Sequence, residues 1–176
     1  MKLTMHRRLL ILTFVQVFLF MACTNNMVEE EVRTPDEQFL KIDFRYGFGN
    51  ELNTYDMTFT KDLVLDGYVT VDFWLTTEEQ ENIVGKLEEN DFANLPDTIA
   101  TYSAGDSIAI QIIPSPGRQF IKAKFDNIEK EVSFYFPLPE GNPASAKILD
   151  LYEFIINIIH NKPEYQQLPE PRGGRI

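Results

Sequence analysis

Cysteine is nearly missing from this 176-residue chain, with Cys23 the single example, and histidine is almost as scarce, with only His6 and His160. One thiol excludes an intramolecular disulfide framework, so packing alone must hold whatever folds. Two histidines exclude a histidine-rich metal site. A Ser-His-Asp arrangement would have to use His160 at a helix end, where a cation beside the C-terminal dipole is the simpler account. Basic residues are short as well, 16 against 27 acids, for a net charge of −11. Such a surface repels phosphate backbones, so nucleic acid is not an expected partner. Glycine-rich phosphate loops are absent, since Gly47-Phe48-Gly49 has no helix after it, and Asp62, Asp66 and Gly67 lack calcium-loop spacing. No cofactor or metal is expected. The apolar run Leu9 to Ala22 has 14 residues, about 21 Å of helix against a hydrocarbon core of about 30 Å, too short for a stable membrane span.

Lys2, His6, Arg7 and Arg8 precede that run, and polar Thr24, Asn25 and Asn26 follow it. This is the layout of an export signal. Ala22 directly before Cys23, framed by Leu19, resembles the lipobox of bacterial lipoproteins, although Phe20 and Met21 stand where a branched aliphatic and a small residue are usual. The resemblance implies that residues 1–22 are a signal peptide removed by the lipoprotein signal peptidase, and that Cys23 is diacylated on sulfur and acylated on its new amine. Once Cys23 carries that lipid, Cys/His catalysis has no free thiol. Each buried CH₂ contributes roughly 0.8 kcal/mol, so two or three chains such as palmitate hold a protein at the membrane where one does not. Thr24, in place of the aspartate that retains enterobacterial lipoproteins at the inner membrane, implies the Gram-negative outer membrane, on its periplasmic or surface face. Glu29 to Glu31 look like the acidic patches that export some lipoproteins to the surface; as composition alone they are a solvated tether. Loss of Lys2, Arg7 and Arg8 leaves 13 basic and 27 acidic residues, a net charge of −14. The lipid on Cys23 is then the only expected contact with the membrane.

Residues 23–37 are polar, acidic and aperiodic, a flexible tether, and the folded part is expected over 38–161 as a single domain. About 150 residues can hide roughly 68–70% of their unfolded surface, enough for one core. Period-two alternation predicts strands at Leu40-Ile42-Phe44, Tyr55-Met57-Phe59 and Val69-Val71-Phe73-Leu75, linked by Gly47 to Asn53 and by the Asp66-Gly67 turn. Thr77 with Gln80 predicts a capped helix carrying Ile83, Val84 and Leu87. Strands are expected again at Ile108-Ile110-Ile112, Ile121-Ala123-Phe125 and Val132-Phe134-Phe136. Asn142-Pro143 then opens a helix whose Ile148, Leu151, Tyr152, Ile155 and Ile159 share one face. The order βββαβββα predicts an α+β fold, a mostly antiparallel sheet of about six strands with two helices packed on one face. Residues 162–176, rich in proline, are expected to be an extended or disordered tail.

Tyr46-Gly47, Tyr55-x-Met57-x-Phe59, Asp66-Gly67, Thr77-Glu78-Glu79 and Asn90-Asp91-Phe92 before Leu95-Pro96 resemble, over residues 38–136, a group of uncharacterised domains of secreted bacterial lipoproteins. The resemblance implies fold and compartment, and no activity. If the helices cover the face of Val69, Val71 and Phe73, the other face carries Tyr68, Thr70, Asp72 and Trp74, with Phe120, Lys122, Lys124 and Tyr135 beside Ser133. Flat rings flanked by hydrogen-bonding groups suit a glycan or peptide, with Asp72 as orienting acceptor. The competing account has those rings packed on one another, on the 92–107 loop or on the other part of a curled sheet. The expectation is a lipid-anchored cell-envelope protein serving as a non-catalytic binding or interaction module for a protein or glycan. The alternatives are a small hydrolase using carboxylates near Asp97 to Asp106, and a structural envelope component.

Overall fold

The computed structural model describes residues 38–100 and 117–174. Cys23, the tether and the strand expected at 108–112 therefore lie outside the described residues. Those described all fall in one compact unit.

Four strands come first: β1 (Lys41–Tyr46), β2 (Asn50–Asn53), β3 (Thr58–Asp62) and β4 (Tyr68–Asp72). Helix α1 (Thr77–Glu89), a 3-10 turn (Phe92–Asn94) and the short β5 (Thr98–Ile99) follow. The chain ends with β6 (Gln119–Phe125), β7 (Ile128–Phe134), α2 (Pro143–Asn161) and the single turn α3 (Pro163–Gln166). The seven strands form one sheet in the order β4-β3-β2-β1-β6-β7-β5, antiparallel throughout except where β5 runs parallel to β7. The molecule is α+β, as the alternation predicts.

Alternation sorts the strands into two faces because successive side chains leave a strand on opposite sides. Ile42 and Phe44 of β1, Leu52, Phe59, Ile121, Ala123, Val132 and Phe134 are buried together with Ile83 and Leu87 of α1 and Ile148, Leu151, Ile155 and Ile159 of α2. Tyr152 of α2 meets Phe44 edge-on at 5.7 Å and Phe134 at 5.9 Å, locking the long helix across β1 and β7. Both helices thus share one side of the sheet, and the other side has no helix over it among the described residues.

Several boundaries differ from the expectation, each for a local reason. The strand expected from Tyr55 starts only at Thr58, because the Asn53 side-chain oxygen accepts from the N–H groups of Tyr55 and Asp56 at 2.9 and 3.2 Å and turns the chain. The Gly47 to Asn53 link contains β2, a strand with one inward residue, Leu52, and so with almost no alternation to read. Helix α1 is capped by Thr76 rather than Thr77: Thr76 Oγ1 accepts from Glu79 N at 3.1 Å and Glu79 Oε2 accepts from Thr76 N at 2.7 Å. Asn142 caps α2 as expected, its Oδ1 accepting from Ala144 N at 2.9 Å.

Residues past Asn161, expected to be extended or disordered, instead dock. Lys162 is buried, with its ammonium 2.9 Å from Glu79 and 5.5 Å from the Phe73 ring centre. Tyr165 of α3 packs edge-on against Phe59 at 5.5 Å and under the Lys61 ammonium at 4.6 Å, and Leu168 is buried. Arg172 pairs with Asp66 at 2.6 Å and bridges to Val64. Proline 163 starts this turn, as proline at a first helical position does, where composition had suggested no structure.

Candidate functional site

The open face is built from the residues that alternate with the core. Strand register lines them up in two rows across the sheet. One row is Asp72, Thr58, Asn53, Asp43, Lys122 and Glu131; the next is Thr70, Thr60, Glu51, Arg45, Phe120 and Ser133. Thr60 and Thr70 share a hydroxyl hydrogen bond of 2.9 Å. Lys122 stands 3.8 Å from Glu129 and 6.0 Å from the Tyr55 ring centre. Arg118 donates to Ser133 Oγ at 2.9 Å, pairs with Glu131 and lies 5.4 Å from the Phe120 ring.

Asp43 is the centre of this face and the residue that sequence reasoning missed. It sits on the middle strand with Asn53 opposite on one side and Lys122 on the other. Burial pushes its carboxyl up to about 6, the charge of Glu51 adds to that, Lys122 opposes it, and Glu131 and Arg45 contribute smaller effects of opposite sign. Its Oδ1 is buried and has no hydrogen-bond partner among the described residues. A half-buried acid with an idle acceptor oxygen can receive a hydroxyl, amide or amine from a ligand.

Tyr68, Asp72, Trp74 and Tyr135, expected to form the ligand face, do share it by alternation, yet the fold does not bring them together. Tyr68 is 61% exposed and Asp72 is also exposed, both on the edge strand β4, and the Tyr68 ring lies against Gly49, where a Cβ would come within 2.7 Å of Cε1. Trp74 is half-buried just beyond β4, its indole N–H 3.1 Å from Met57 Sδ in the turn before β3. Tyr135 is 39% exposed beyond β7, five strands from β4 in the sheet order. At about 4.8 Å per strand that is roughly 24 Å, too far for one small ligand to bridge.

Next to Tyr135, a cleft of about 460 Å³ is lined by Asp97, Thr98, Arg118, Glu129, Lys130, Glu131 and Ser133. Each acid in it has a cation: Asp97 with Lys130, Glu131 with Arg118, and Glu129 with Lys124 at 3.6 Å. Residues 101–106 of the groove considered for hydrolysis lie outside the described residues. His160, read as a cation at a helix end, is instead stacked on Tyr165 at 4.4 Å. Burial and the nearby Lys61 charge lower its proton affinity, which keeps it neutral at pH 7. Among the described residues, no group of three or more His, Cys, Asp or Glu could hold a metal ion, and no helix is long and apolar enough to cross a membrane. Comparison with protein-family models, with curated proteins and with solved structures finds no match for this chain.

Proposed function

We propose that the chain is a lipid-anchored protein of the cell envelope, held in the outer membrane through Cys23, whose folded body is a non-catalytic binding module receiving a protein or glycan on the open face of the sheet. The observation that carries the reading is the idle Oδ1 of Asp43 at the centre of a sheet face that no described helix covers. An unpaired buried acceptor loses roughly 1–3 kcal/mol of hydrogen bonding, and a ligand donor restores it. Lys122, Asn53 and Glu51 around it supply direction, and the rings of Tyr55 and Phe120 supply area. Tyr68 and Trp74 lie at the margin of the site, and Tyr135 belongs to the far edge.

Both halves of the proposal can be tested on the protein in its own envelope. Labelled palmitate should enter the native chain and not Cys23→Ser, which should also leave the membrane fraction. Envelope extract and envelope polysaccharide passed over the detergent-solubilised protein should yield a protein or glycan retained about tenfold less by Asp43→Ala and by Lys122→Ala, a loss of about 1.4 kcal/mol. Equal retention by all three removes this face from the account, whatever the label shows.

A further inference from the structure

Among the described residues the outer edge of β4 is unpaired, and its chemistry is self-complementary. Phe73 N donates to Met57 O and Leu63 N donates to Gly67 O, each at 2.8 Å, and both pairs keep the register that sets Phe59 opposite Val71 and Lys61 opposite Val69. In an antiparallel ladder bonded and non-bonded pairs alternate, so Val69 and Val71 face β3 and the N–H and C=O groups of Tyr68, Thr70 and Asp72 point outward. β3 is the only strand paired with β4 among the described residues, and none of them bonds to those outward groups.

Sheet edges are ordinarily blunted by shortness, lysine, proline or a bulge. The opposite edge follows that rule, since β5 has two residues. β4 has five, YVTVD, with no lysine, proline or bulge and a single charge, Asp72, at its end, and its Val69 and Val71 stay half-exposed although they belong to the core side.

We propose that β4 pairs with β4 of a second copy, antiparallel about a two-fold axis through Thr70, joining two seven-stranded sheets into one. In that register Thr70 meets its own counterpart and extends the hydroxyl pair it already makes with Thr60. Tyr68 meets Asp72 of the other copy, and its phenol, swung out from its place against Gly49, would donate to that carboxylate. Val69 meets Val71, closing the apolar strip on the helix side. Shifting the axis to Asp72 would set two carboxylates face to face, and shifting it to Tyr68 would run the strand against the 63–67 turn. Asp66, the next acid along the edge, is neutralised by Arg172 at 2.6 Å. A foreign strand would have to reproduce this pattern, whereas a second copy carries it already. The two open faces end on the same side, with their Asp43 residues seven strand spacings apart, about 34 Å, suited to one long polymer.

The test uses the full chain as the cell makes it, solubilised in detergent. Val69→Cys and Val71→Cys chains carrying different tags are co-expressed and oxidised. Non-bonded antiparallel pairs bring Cα atoms to about 4.5 Å, within disulfide reach, so the mixture should cross-link and either variant alone should not. Sedimentation should give twice the monomer mass for the native chain and the monomer mass for Thr70→Pro, whose missing N–H is one that β3 does not use. Thr70→Lys gives the same reading if circular dichroism shows that the proline variant has unfolded. A native monomer at about 100 μM, a dimer that survives either substitution, cross-linking no stronger in the mixture than in the single variants, or a Val69→Cys adduct with a protein of another mass overturns the proposal.

Discussion

At Asp43 burial outweighs the mixed charges around it, and the sign of the result is open to measurement. Its carboxyl rises from 3.8 to about 6 on folding, so between those values the folded state holds a proton that the unfolded state has released. The associated stability is complete below pH 4 and is lost as pH rises through 6. Two pH units would be worth about 3 kcal/mol for a fully sheltered group; Asp43 is half-buried, and screening leaves about 1 kcal/mol. Asp43→Asn should therefore match the native protein at pH 4 and be more stable by about that amount at pH 8, measured by urea unfolding. A gain that is the same at both pH values would place the cause elsewhere. His160 runs oppositely: with its proton affinity lowered, it contributes stability above about 6.5 that fades as pH falls, so the substitution is compared with its own parent at each pH. Sequence alone could assign Asp43 to the solvent side, from Ile42 and Phe44 on either side of it. It could not supply Glu51, Lys122 and Glu131, which arrive from three other strands. The same limit separated Tyr135 from Tyr68: face follows from parity, whereas position across the sheet follows from strand order.

The first turn of α1 does two jobs through Glu79, and they can be separated. Its carboxylate completes the capping box with Thr76 and also holds the ammonium of buried Lys162. Thr76→Ala should cost about 1 kcal/mol, the usual loss of an N-cap. Glu79→Gln keeps a box-forming side chain and strands the lysine charge, so it should cost more, about 2–3 kcal/mol, since breaking one partner of a buried pair leaves the other uncompensated. Urea midpoints decide the order, and a Glu79→Gln loss no larger than that of Thr76→Ala would mean that the cap alone matters. The docked end offers a second measurement. A chain stopped after Asn161 loses Tyr165 from Phe59, Lys162 from Phe73 and the buried Leu168, and should lose about 2–4 kcal/mol; one stopped after Gly173 should keep its midpoint. Long periodic elements such as α2, β6 and β7 were readable because burial repeats along them. β2 and β5 were not, with one inward residue each, and α3 was hidden in a proline-rich stretch whose order comes from Lys61, Glu79 and Phe59, all distant in sequence.

Over the whole molecule the excess of acid decides how salt acts. The 27 acids outnumber 16 bases, and at 0.1 M salt charges still feel one another over about 10 Å. Two effects compete when salt is added. Screening weakens the ion pairs, and among them Lys61–Glu170, Lys124–Glu129, Lys147–Asp91 and Arg172–Asp66 each have at least one strongly exposed partner. Exposed pairs contribute about 0–1 kcal/mol each, and several contribute nothing measurable, so little is lost. Screening also relieves the repulsion of the unpaired carboxylates, which acts on the whole surface and only when the chain is compact. The second effect should prevail. Raising sodium chloride from about 20 to 500 mM at pH 7 should raise the unfolding temperature by about 2–6 °C, the shift that roughly 1–2 kcal/mol produces in a chain of this size. If the unfolding temperature falls instead, the ion pairs at the tail and between the strands hold the fold more strongly than surface pairs do, and Lys162–Glu79, the most buried of those compared, is where the difference should be sought.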